Sequence, residues 1–298
     1  MSRQAHTARR ALVAGATGGL GSAFVHALAS SGYKVICAGR DFEKANALAL
    51  QLGPGHTALQ LDLTSTLDLT NAHDALAALT QGRLDVVINA VGGDIRKSFG
   101  EHTASDFQTM VDLNFLGPAR LLSLCLPWMQ TGREVTLPHP KSVHQFIQIS
   151  GFLNGRVGFP FYSADVAMRS ATRTLLESVQ RELNLAGRRD VKLRLFSPAV
   201  ADTEAERPFL PLWRKMGVEA VAPEAVGKAL LRFIDQKQQV ASMGGLLMKA
   251  LSILGDISPL WTDQIWLNAA SKEMVNSFGS LSDSPSTSIQ DSTTCQNA

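Results

Sequence analysis

Residues 11–21 read ALVAGATGGLG, a short apolar run followed by a turn with three spaced glycines, Gly15, Gly19 and Gly21. Such a turn between a buried strand and a helix lets backbone N–H groups approach a pyrophosphate, and glycine is required because a Cβ would block that approach. A helix is predicted next, over residues 22–31. The stretch is therefore interpreted as a strand, a phosphate-binding turn and a helix, with a glycine-rich turn that binds nothing as the alternative.

Apolar runs alternate with helical patterns over most of the chain. Strands that alternate with helices at this spacing are typical of a parallel sheet covered on both faces. The predicted fold class is therefore α/β, a Rossmann-type doubly wound parallel sheet with a helical C-terminal appendage. The predicted strands are residues 11–14, 33–38, 58–61, 84–89, 146–149 and 191–196, and the predicted helices are residues 22–31, 42–52, 65–81, 104–129, 162–186 and 224–234.

The chain divides by composition into three parts. Residues 1–242 are predicted to form one dinucleotide-binding domain, in which residues 131–145 form a polar, proline-bearing loop before the fifth strand. Residues 243–278 are rich in Leu, Met and Trp and predict a helical appendage that serves as a lid or an oligomer contact. Residues 279–298 are rich in Ser and Thr with little apolar content, which predicts a disordered tail.

Composition excludes several classes of protein. The chain has 298 residues, of which 45% are hydrophobic and 18% charged, so it can bury a sizeable core. The 28 Lys and Arg nearly balance the 26 Asp and Glu, whereas a dedicated nucleic-acid binder carries a basic face. The cysteines, Cys37, Cys125 and Cys295, are too scattered for a disulfide framework or a zinc site, so we expect no metal and a reducing, cytoplasmic location. The most apolar late stretch, residues 243–255, is too short to span a bilayer.

Further motifs follow the glycine turn in the order found in the short-chain dehydrogenase/reductase family, which the chain resembles over about residues 8–240. Asn114 resembles the family's catalytic helix Asn, and Ser150 ends a strand where the family's catalytic Ser lies. Tyr162 begins a segment, YSA, that is similar to the start of the family's Tyr-x-x-x-Lys motif. Three other segments match: Leu61-Asp62-Leu63, where the family's Asp contacts adenine; Asn89-Ala90-Val91-Gly92, similar to Asn-Asn-Ala-Gly; and Ser197 to Thr203, similar to the Pro-Gly-x-x-x-Thr loop with Ala199 in place of Gly.

The resemblance implies roles for these residues. In the family the Tyr, here Tyr162, exchanges a proton with the substrate, the Ser, here Ser150, orients the carbonyl, and the Asn, here Asn114, holds a water of the proton relay. Together with Arg40, the residues assigned to cofactor binding are Gly15, Thr17, Gly18, Gly19, Leu20, Gly21, Asp62, Leu63, Asn89, Pro198, Val200 and Thr203.

Arg40 favours NADP over NAD as the cofactor. At the end of the second strand an acidic residue would bind the adenine ribose hydroxyls of NAD. An Arg just beyond that strand would instead pair with the 2′-phosphate of NADP in a charge-assisted contact. A solvated surface Arg beside Asp41 is the alternative.

One motif position departs from the family. The fourth residue after Tyr162 is Val166, where the family has a Lys that binds the nicotinamide ribose and lowers the pKa of the Tyr. Without that ammonium we expect the pKa of Tyr162 to stay near its free value of about 10, or to rise because of Asp165, which would make the Tyr a poor base. Arg169, two turns along the helix, is predicted not to replace the Lys. Two loop lysines could reach the site instead: Lys97 and Lys141.

Several of these assignments have structural alternatives. The interval from Ser150 to Tyr162 is one residue shorter than usual, and Gly151 occupies the place of a second serine that often acts in the family. Ser150 could therefore be a strand-end hydroxyl bonded to backbone, and Asn114 could be a helix-interior Asn that bonds backbone carbonyls. Histidines on or near predicted loops are interpreted as solvated surface residues: His102, His139 and His144.

Three functions stay open at this stage. The first is an NADP-dependent reductase of a carbonyl on a hydrophobic small molecule, with Tyr162 as the proton donor. The second is a repurposed fold that catalyses a non-redox step such as cyclisation or isomerisation, and the third is a non-enzymatic NADP-binding sensor. Val166 favours the last two, whereas Tyr162, Asn114 and the glycine turn favour the first. The expected partners are a small-molecule substrate and further copies of the chain in a homo-oligomer, with no nucleic acid and no membrane span.

Overall fold

The structure is a computed structural model that describes residues 8–129, 143–151, 155–244, 263 and 271–278. The predicted tail at residues 279–298 and most of the predicted loop at residues 131–145 lie outside the described residues. Of the appendage, residues 243–244, 263 and 271–278 are described.

Seven strands and nine helices follow one another in the described chain. The strands are β1 (Arg10–Ala14), β2 (Lys34–Gly39), β3 (Thr57–Gln60), β4 (Val86–Asn89), β5 (His144–Ile149), β6 (Val191–Ser197) and β7 (Val240–Ser242). The helices are α1 (Gly19–Ser30), α2 (Phe42–Gln51), α3 (Thr66–Thr80), α4 (Ala104–Val111), α5 (Gly117–Cys125), α6 (Ser163–Leu185), α7 (Leu210–Lys215), α8 (Pro223–Ile234) and α9 (Ser271–Phe278), with a π-helical turn, Asp112–Leu116, between α4 and α5.

The strands form one sheet in the order β3-β2-β1-β4-β5-β6-β7, and every pair of neighbours is parallel. The predicted α/β class and Rossmann-type doubly wound sheet are therefore confirmed. The sequence patterns missed β7 and α7, which are only three and six residues long. The single helical region predicted over residues 104–129 is divided into α4, the π-helical turn, α5 and a short 3-10 turn.

Successive apolar side chains of the central strands point to opposite faces of the sheet and form an apolar layer on each face. On one face Val13 and Val35 pack with the buried side chains of α1 and α8. On the other face Leu12 and Ile36 pack with α3, α5 and α6. Because successive side chains of a strand point to opposite faces, a continuously apolar strand is the expected sequence for a sheet covered on both sides.

His144 corrects one prediction. It begins β5 instead of lying in a loop, and its side chain is fully buried, with Nδ1 at 2.6 Å from the carbonyl oxygen of Leu84. The interpretation as a solvated surface residue is therefore wrong for His144. His102 is half-buried, with Nδ1 at 3.0 Å from the carbonyl oxygen of Ser98, and His139 lies outside the described residues.

The strand order determines where a ligand can bind. From β1 the chain adds β2 and β3 on one side and β4 to β7 on the other, so the order reverses between β1 and β4. In open parallel sheets ligands bind at the carboxyl ends of the strands beside such a reversal. The glycine turn after β1 and the segments after β2, β4 and β5 all lie at that edge. In the part of the chain that is described, no helix is long and apolar enough to cross a membrane.

Candidate active site

The glycine turn after β1 leaves the N-terminus of α1 open to an anion. Gly15 has φ of +76°, a conformation that favours glycine. A Cβ at Gly21 would lie 1.9 Å from the carbonyl oxygen of Gly15, so a side chain at this position is incompatible with the turn. Gly18 caps α1 without a side-chain hydrogen bond, and no acidic residue occupies the first helical turn. Exposed N–H groups and the positive end of the helix dipole therefore fit a cofactor pyrophosphate.

The end of β2 carries an exposed Arg40. Its acidic neighbour, Asp41, accepts a hydrogen bond from the backbone N–H of Lys44 at 3.1 Å and caps α2. Among the described residues Arg40 forms no ion pair. Thr17 lies at the same edge, because a Cβ at Gly39 would be 3.6 Å from its Oγ1. Arg40 and Thr17 could thus both reach a phosphate bound beyond β2.

Two other residues assigned to the cofactor shape turns. The carboxylate of Asp62 accepts hydrogen bonds from the backbone N–H and the hydroxyl of Thr64, at 2.8 and 2.7 Å. Asn89 is fully buried: its Nδ2 donates to Gln148 at 2.8 Å, and its Oδ1 accepts from the N–H of Val91 at 3.1 Å. Asn89 therefore links β4 to β5 and holds the bend after β4. Leu63 is buried in the core beneath this edge.

The segment after β6 lies against the glycine turn. A Cβ at Gly19 would be 2.6 Å from the methyl carbon of Thr203, which places Thr203 directly beside the α1 N-terminus. Val200 packs in the apolar cluster around Tyr162, while Pro198 and Leu20 are half-buried. The structure thus brings the segment containing Pro198, Val200 and Thr203 to the cofactor edge of the sheet.

Asn114 and Ser150 line one small polar cavity. Asn114 lies in the π-helical turn; its Oδ1 accepts from the N–H of Gly93 at 3.1 Å, and its Nδ2 donates to the carbonyl of Gly93 and to Asp165, both at 2.7 Å. Ser150 is buried, and its hydroxyl donates to no described residue. The other residues lining this cavity are Gln148, Arg169, Thr172 and Leu195.

Arg169 also lines that cavity. Its Nε donates to Asp165 at 2.7 Å, and its side chain is 16% exposed. Burial raises the pKa of the Asp165 carboxyl, and the neighbouring Arg169 opposes that effect. The i, i+4 spacing of Asp165 and Arg169 was the available signal for a pair on one helix face. Tyr162 is the N-cap residue of α6, and the backbone N–H of Val166 donates to its carbonyl oxygen at 2.9 Å, so the two residues lie one helical turn apart.

Tyr162 lies outside this cavity, in an apolar cluster. Its ring packs on Phe159 and Phe278, with centroids 5.2 and 6.1 Å away, and its buried hydroxyl has no partner among the described residues. Burial raises the pKa of Tyr162 well above its usual value. The preceding Phe161 has φ of +67°, a strained conformation for a bulky residue. The structure therefore brings Asn114 and Ser150 together but places Tyr162 in the adjoining cluster.

Arg96 is a cation beside this tyrosine, and no sequence motif indicated it. Its Cζ lies 5.4 Å from the ring centroid of Tyr162 and 3.9 Å from that of Phe209. Arg96 pairs with Asp94 and Glu206, and its buried Nη1 has no partner among the described residues. Its charge acts to lower the pKa of Tyr162, against the larger effect of burial.

Of the two lysines considered as replacements for the family's Lys, Lys97 and Lys141, the structure describes Lys97. The Nζ of Lys97 bonds Asp106 at 2.9 Å, so this ammonium is already paired with a carboxylate. Lys141 lies outside the described residues. Val166 itself lines a second, larger cavity of about 710 Å³, together with residues of the segment before α6 and of α6 itself: Phe159, Pro160, Ser163, Ala167 and Ser170.

The described part of the appendage covers the tyrosine cluster. Met274 of α9 is fully buried, and Phe278 packs on Phe161, Tyr162 and Phe209. An ion pair of 2.7 Å between Lys215 and Glu273 joins α7 to α9. The helix α9 therefore covers part of the Tyr162 ring through Phe278.

Comparison with known proteins identifies the family. The sequence model of the short chain dehydrogenase family matches residues 9–211, which is most of the chain, and the protein belongs to that family. An uncharacterized oxidoreductase of Staphylococcus aureus strain USA300 is 28% identical over 239 residues, covering 78% of this chain and 94% of the relative. An uncharacterized oxidoreductase of Staphylococcus epidermidis is 26% identical over 198 residues, covering 65% and 78% of the two chains.

Solved structures agree on the fold. A short chain dehydrogenase from Burkholderia cenocepacia in complex with NADP superposes with a TM-score of 0.71 at 19% identity, covering 88% of this chain and 98% of that one. A 3-ketoacyl-(acyl-carrier-protein) reductase from Brucella melitensis in complex with NADH superposes with a TM-score of 0.66 at 19% identity, covering 79% and 96%. Both comparisons therefore show that this chain shares the overall fold of the two solved structures.

Proposed function

We propose that the protein is an NADP-dependent oxidoreductase that reduces a carbonyl group of a hydrophobic small molecule. The observation that carries the proposal is the N-terminus of α1 at the glycine turn, to which the N-cap residue Gly18 brings no side-chain hydrogen bond, with Arg40 exposed at the neighbouring strand end. The relatives in Staphylococcus bear the name oxidoreductase, and the Burkholderia structure holds NADP, which supports the same reading. A cytoplasmic location and a homo-oligomeric state remain part of this proposal.

The residues at the sheet edge fit the parts of an NADP molecule. The N–H groups of the turn from Gly15 to Gly21 would bind the pyrophosphate. Arg40 and Thr17 would bind the 2′-phosphate, because Asp41 is engaged as a helix cap and Arg40 forms no ion pair with any residue that the structure describes. Asp62 would contact the adenine. The bound cofactor would supply the hydride for reduction.

The proton would come from Tyr162. A buried hydroxyl without a partner is costly, and a substrate carbonyl oxygen would relieve that cost by accepting its hydrogen bond. The unpaired Nη1 of Arg96 beside it could donate to the same oxygen. Because burial raises the pKa of Tyr162, the hydroxyl stays protonated, which favours reduction over alcohol oxidation, a reaction that needs a base.

The surroundings of Tyr162 favour an apolar substrate. The cluster around it contains buried Phe159, Leu212, Trp213 and Phe278, and charge enters it chiefly through the paired Arg96. Burying apolar surface in such a cluster contributes about 25 cal/mol per Å² of apolar area, so a hydrophobic group next to the reacting carbonyl would strengthen binding.

A non-redox function is the second candidate, and Val166 supports it. This residue lines the cavity of about 710 Å³, whose walls include the apolar Phe159 and the charged Arg156 and Asp263. An uncharged side chain where the family places its Lys is what a repurposed site would require. In such a protein Tyr162 would polarise a carbonyl for cyclisation or isomerisation without hydride transfer.

One assay series separates these functions. Oxidation of NADPH and NADH is followed by absorbance against a panel of hydrophobic ketones, with the parent, Arg40→Ala and Tyr162→Phe. We expect turnover with NADPH above that with NADH, loss of the preference in Arg40→Ala, and loss of reduction but not of NADPH binding in Tyr162→Phe. Removing one charge-assisted contact should weaken NADPH binding by about 10- to 100-fold. Binding of NADPH without oxidation on any ketone would favour the non-redox function.

A further inference from the structure

Arg96 lies between two carboxylates near the carboxyl edge of the sheet. Its side chain is only 6% exposed, and it pairs with Asp94, from the same segment after β4, and with Glu206, from the segment after β6. One oxygen of Asp94 accepts from Nε of Arg96 at 2.7 Å and from Nη2 at 2.6 Å, and Glu206 also accepts from Nη2. These ion pairs therefore join the segment after β4 to the segment after β6.

Neighbouring rings and one further hydrogen bond hold this guanidinium in place. Its Cζ lies 3.9 Å from the ring centroid of Phe209 and 5.9 Å from that of Trp213. The indole Nε1 of Trp213 donates to Oε2 of Glu206 at 3.0 Å, so both oxygens of this carboxylate are engaged, one by Arg96 and one by Trp213. Because a guanidinium is planar and this one is held by carboxylates and rings, the directions of its remaining N–H groups are fixed.

Two unused donors at this place indicate a ligand oxygen. Nη1 of Arg96 is buried and has no partner among the residues that the structure describes, and the same is true of the Tyr162 hydroxyl. The Cζ of Arg96 lies 5.4 Å from the Tyr162 ring centroid, so the two unused groups belong to one site. An unpaired buried donor is costly, and a carbonyl oxygen has two lone pairs with which it could accept from both groups.

Ser150 lies apart from this pair of donors. It lines the small polar cavity with Asn114, whereas Tyr162 packs in the apolar cluster with Trp213. Of these side chains, the one beside Tyr162 with a free donor for the same carbonyl oxygen is therefore Arg96.

The charges around Tyr162 sum to a negative value. Arg96 carries one positive charge, whereas Asp94 and Glu206 carry two negative charges. Asp165, the other carboxylate that acts on Tyr162, is bonded to its own arginine. A substrate carboxylate would have to displace an acid from Arg96 or stay unpaired in a buried site, and either event is costly. A neutral carbonyl carries no such penalty.

We propose that Arg96 determines the substrate class of this enzyme. Its Nη1 donates to the reacting carbonyl oxygen beside Tyr162, and its partners Asp94 and Glu206 exclude compounds that carry a carboxylate or phosphate next to that carbonyl. The substrate is therefore a ketone or an aldehyde without an acid group near the reacting carbon. This preference rests on the proposed carbonyl reduction, and it concerns charge, which the apolar cluster alone does not select.

Matched pairs of substrates test the charge preference. Aromatic 2-oxo acids and their methyl esters differ in the charge of the group beside the reacting carbonyl. Oxidation of NADPH gives kcat and KM for each compound, and calorimetry with the NADP-loaded protein gives its affinity whether or not it is reduced. We expect the parent to favour the esters by about 10- to 100-fold in kcat/KM and in affinity.

The variant Glu206→Gln removes one carboxylate but keeps an oxygen that can accept from the Trp213 indole. Because Arg96 then has one carboxylate partner fewer, we expect the acid-to-ester ratio of kcat/KM to rise by about 10-fold. Asp202→Asn is the matched control, because this carboxylate belongs to the same segment after β6 but pairs with Arg207 on the exposed surface. It should leave the ratio unchanged.

The variant Arg96→Lys keeps the charge but removes the planar group that carries Nη1. A hydrogen bond to the carbonyl oxygen strengthens as negative charge develops there, so we expect kcat with the esters to fall by about 10- to 100-fold while KM changes less. A merely structural role would lower the folded fraction, measured by circular dichroism, without lowering kcat per folded molecule. Unchanged kcat would overturn the assignment of Nη1. If Arg96→Lys does not fold, the ratio in Glu206→Gln still decides the proposal.

The other outcomes separate this inference from the proposed function. Equal use of acids and esters by the parent, an unchanged ratio in Glu206→Gln, or an equal rise in Asp202→Asn would each overturn the inference while the reductase stands. A parent that binds esters in preference to acids but never oxidises NADPH would support the charge preference and refute the reductase. A parent that binds NADPH but no member of any pair would overturn the inference alone.

Discussion

The substitution Gly21→Ala tests the closest backbone contact in the glycine turn. The added Cβ would lie 1.9 Å from the carbonyl oxygen of Gly15 and 2.8 Å from its carbonyl carbon, and real Cβ contacts below 3.0 Å are essentially never observed. The start of α1 and the end of the turn would therefore have to separate by about 1 Å, a change comparable to overpacking a core, which costs roughly 1–3 kcal/mol. In a domain of this size each kcal/mol lowers Tm by roughly 2–4 °C.

Urea unfolding followed by circular dichroism measures the loss of stability, and calorimetry measures NADPH binding. Gly100→Ala is the control for stability, because a Cβ there would have nothing within 4 Å. We expect Gly100→Ala to unfold like the parent, and Gly21→Ala to lose both stability and NADPH affinity because the N–H groups of the turn no longer converge. A Gly21→Ala protein with the parent's free energy of unfolding and NADPH affinity would refute the tight turn.

Three further changes probe other parts of the site. Tyr162→Phe should raise the free energy of unfolding of the ligand-free protein by about 1 kcal/mol, since it removes a buried hydroxyl without a partner; a loss of stability in urea unfolding would mean that the hydroxyl is bonded. The pKa of Asp106 is lowered from 3.8 to about 2 by hydrogen bonds from the Thr103 backbone and from Lys97, so its stabilisation is present above pH 3.8 and lost as the pH falls toward 2. Asp106→Asn should flatten that acid limb of the unfolding curve, and an unchanged limb would exclude this carboxylate as its cause. Phe278→Ala should release α9 and speed amide hydrogen exchange in residues 271–278 while the strands exchange as before; unchanged protection of α9 would show that the ring is not its anchor.

Local sequence patterns were sufficient for the architecture. The apolar strands, the glycine turn and the alternation with helices predicted the parallel sheet because strand burial and helix periodicity are encoded within a few neighbouring residues. The short β7 and α7 escaped because three to six residues carry too few periods to be recognised. The break of the helix at Asn114 also escaped, since the π-helical turn there is accompanied by contacts with Gly93 and Thr172, which are distant in sequence.

The sequence by itself determined the fold class and the glycine turn after β1, and it predicted that Val166 stands where the family has a lysine. Only the tertiary structure decided which cations occupy the site. Tyr162, the N-cap residue of α6, packs in the apolar cluster, whereas Arg169 farther along the same helix lines the polar cavity. Arg96 reaches the tyrosine cluster through contacts with Glu206 and Phe209, more than a hundred residues away. Helix rotation and long-range pairing depend on how whole elements pack, and no local pattern contains that information.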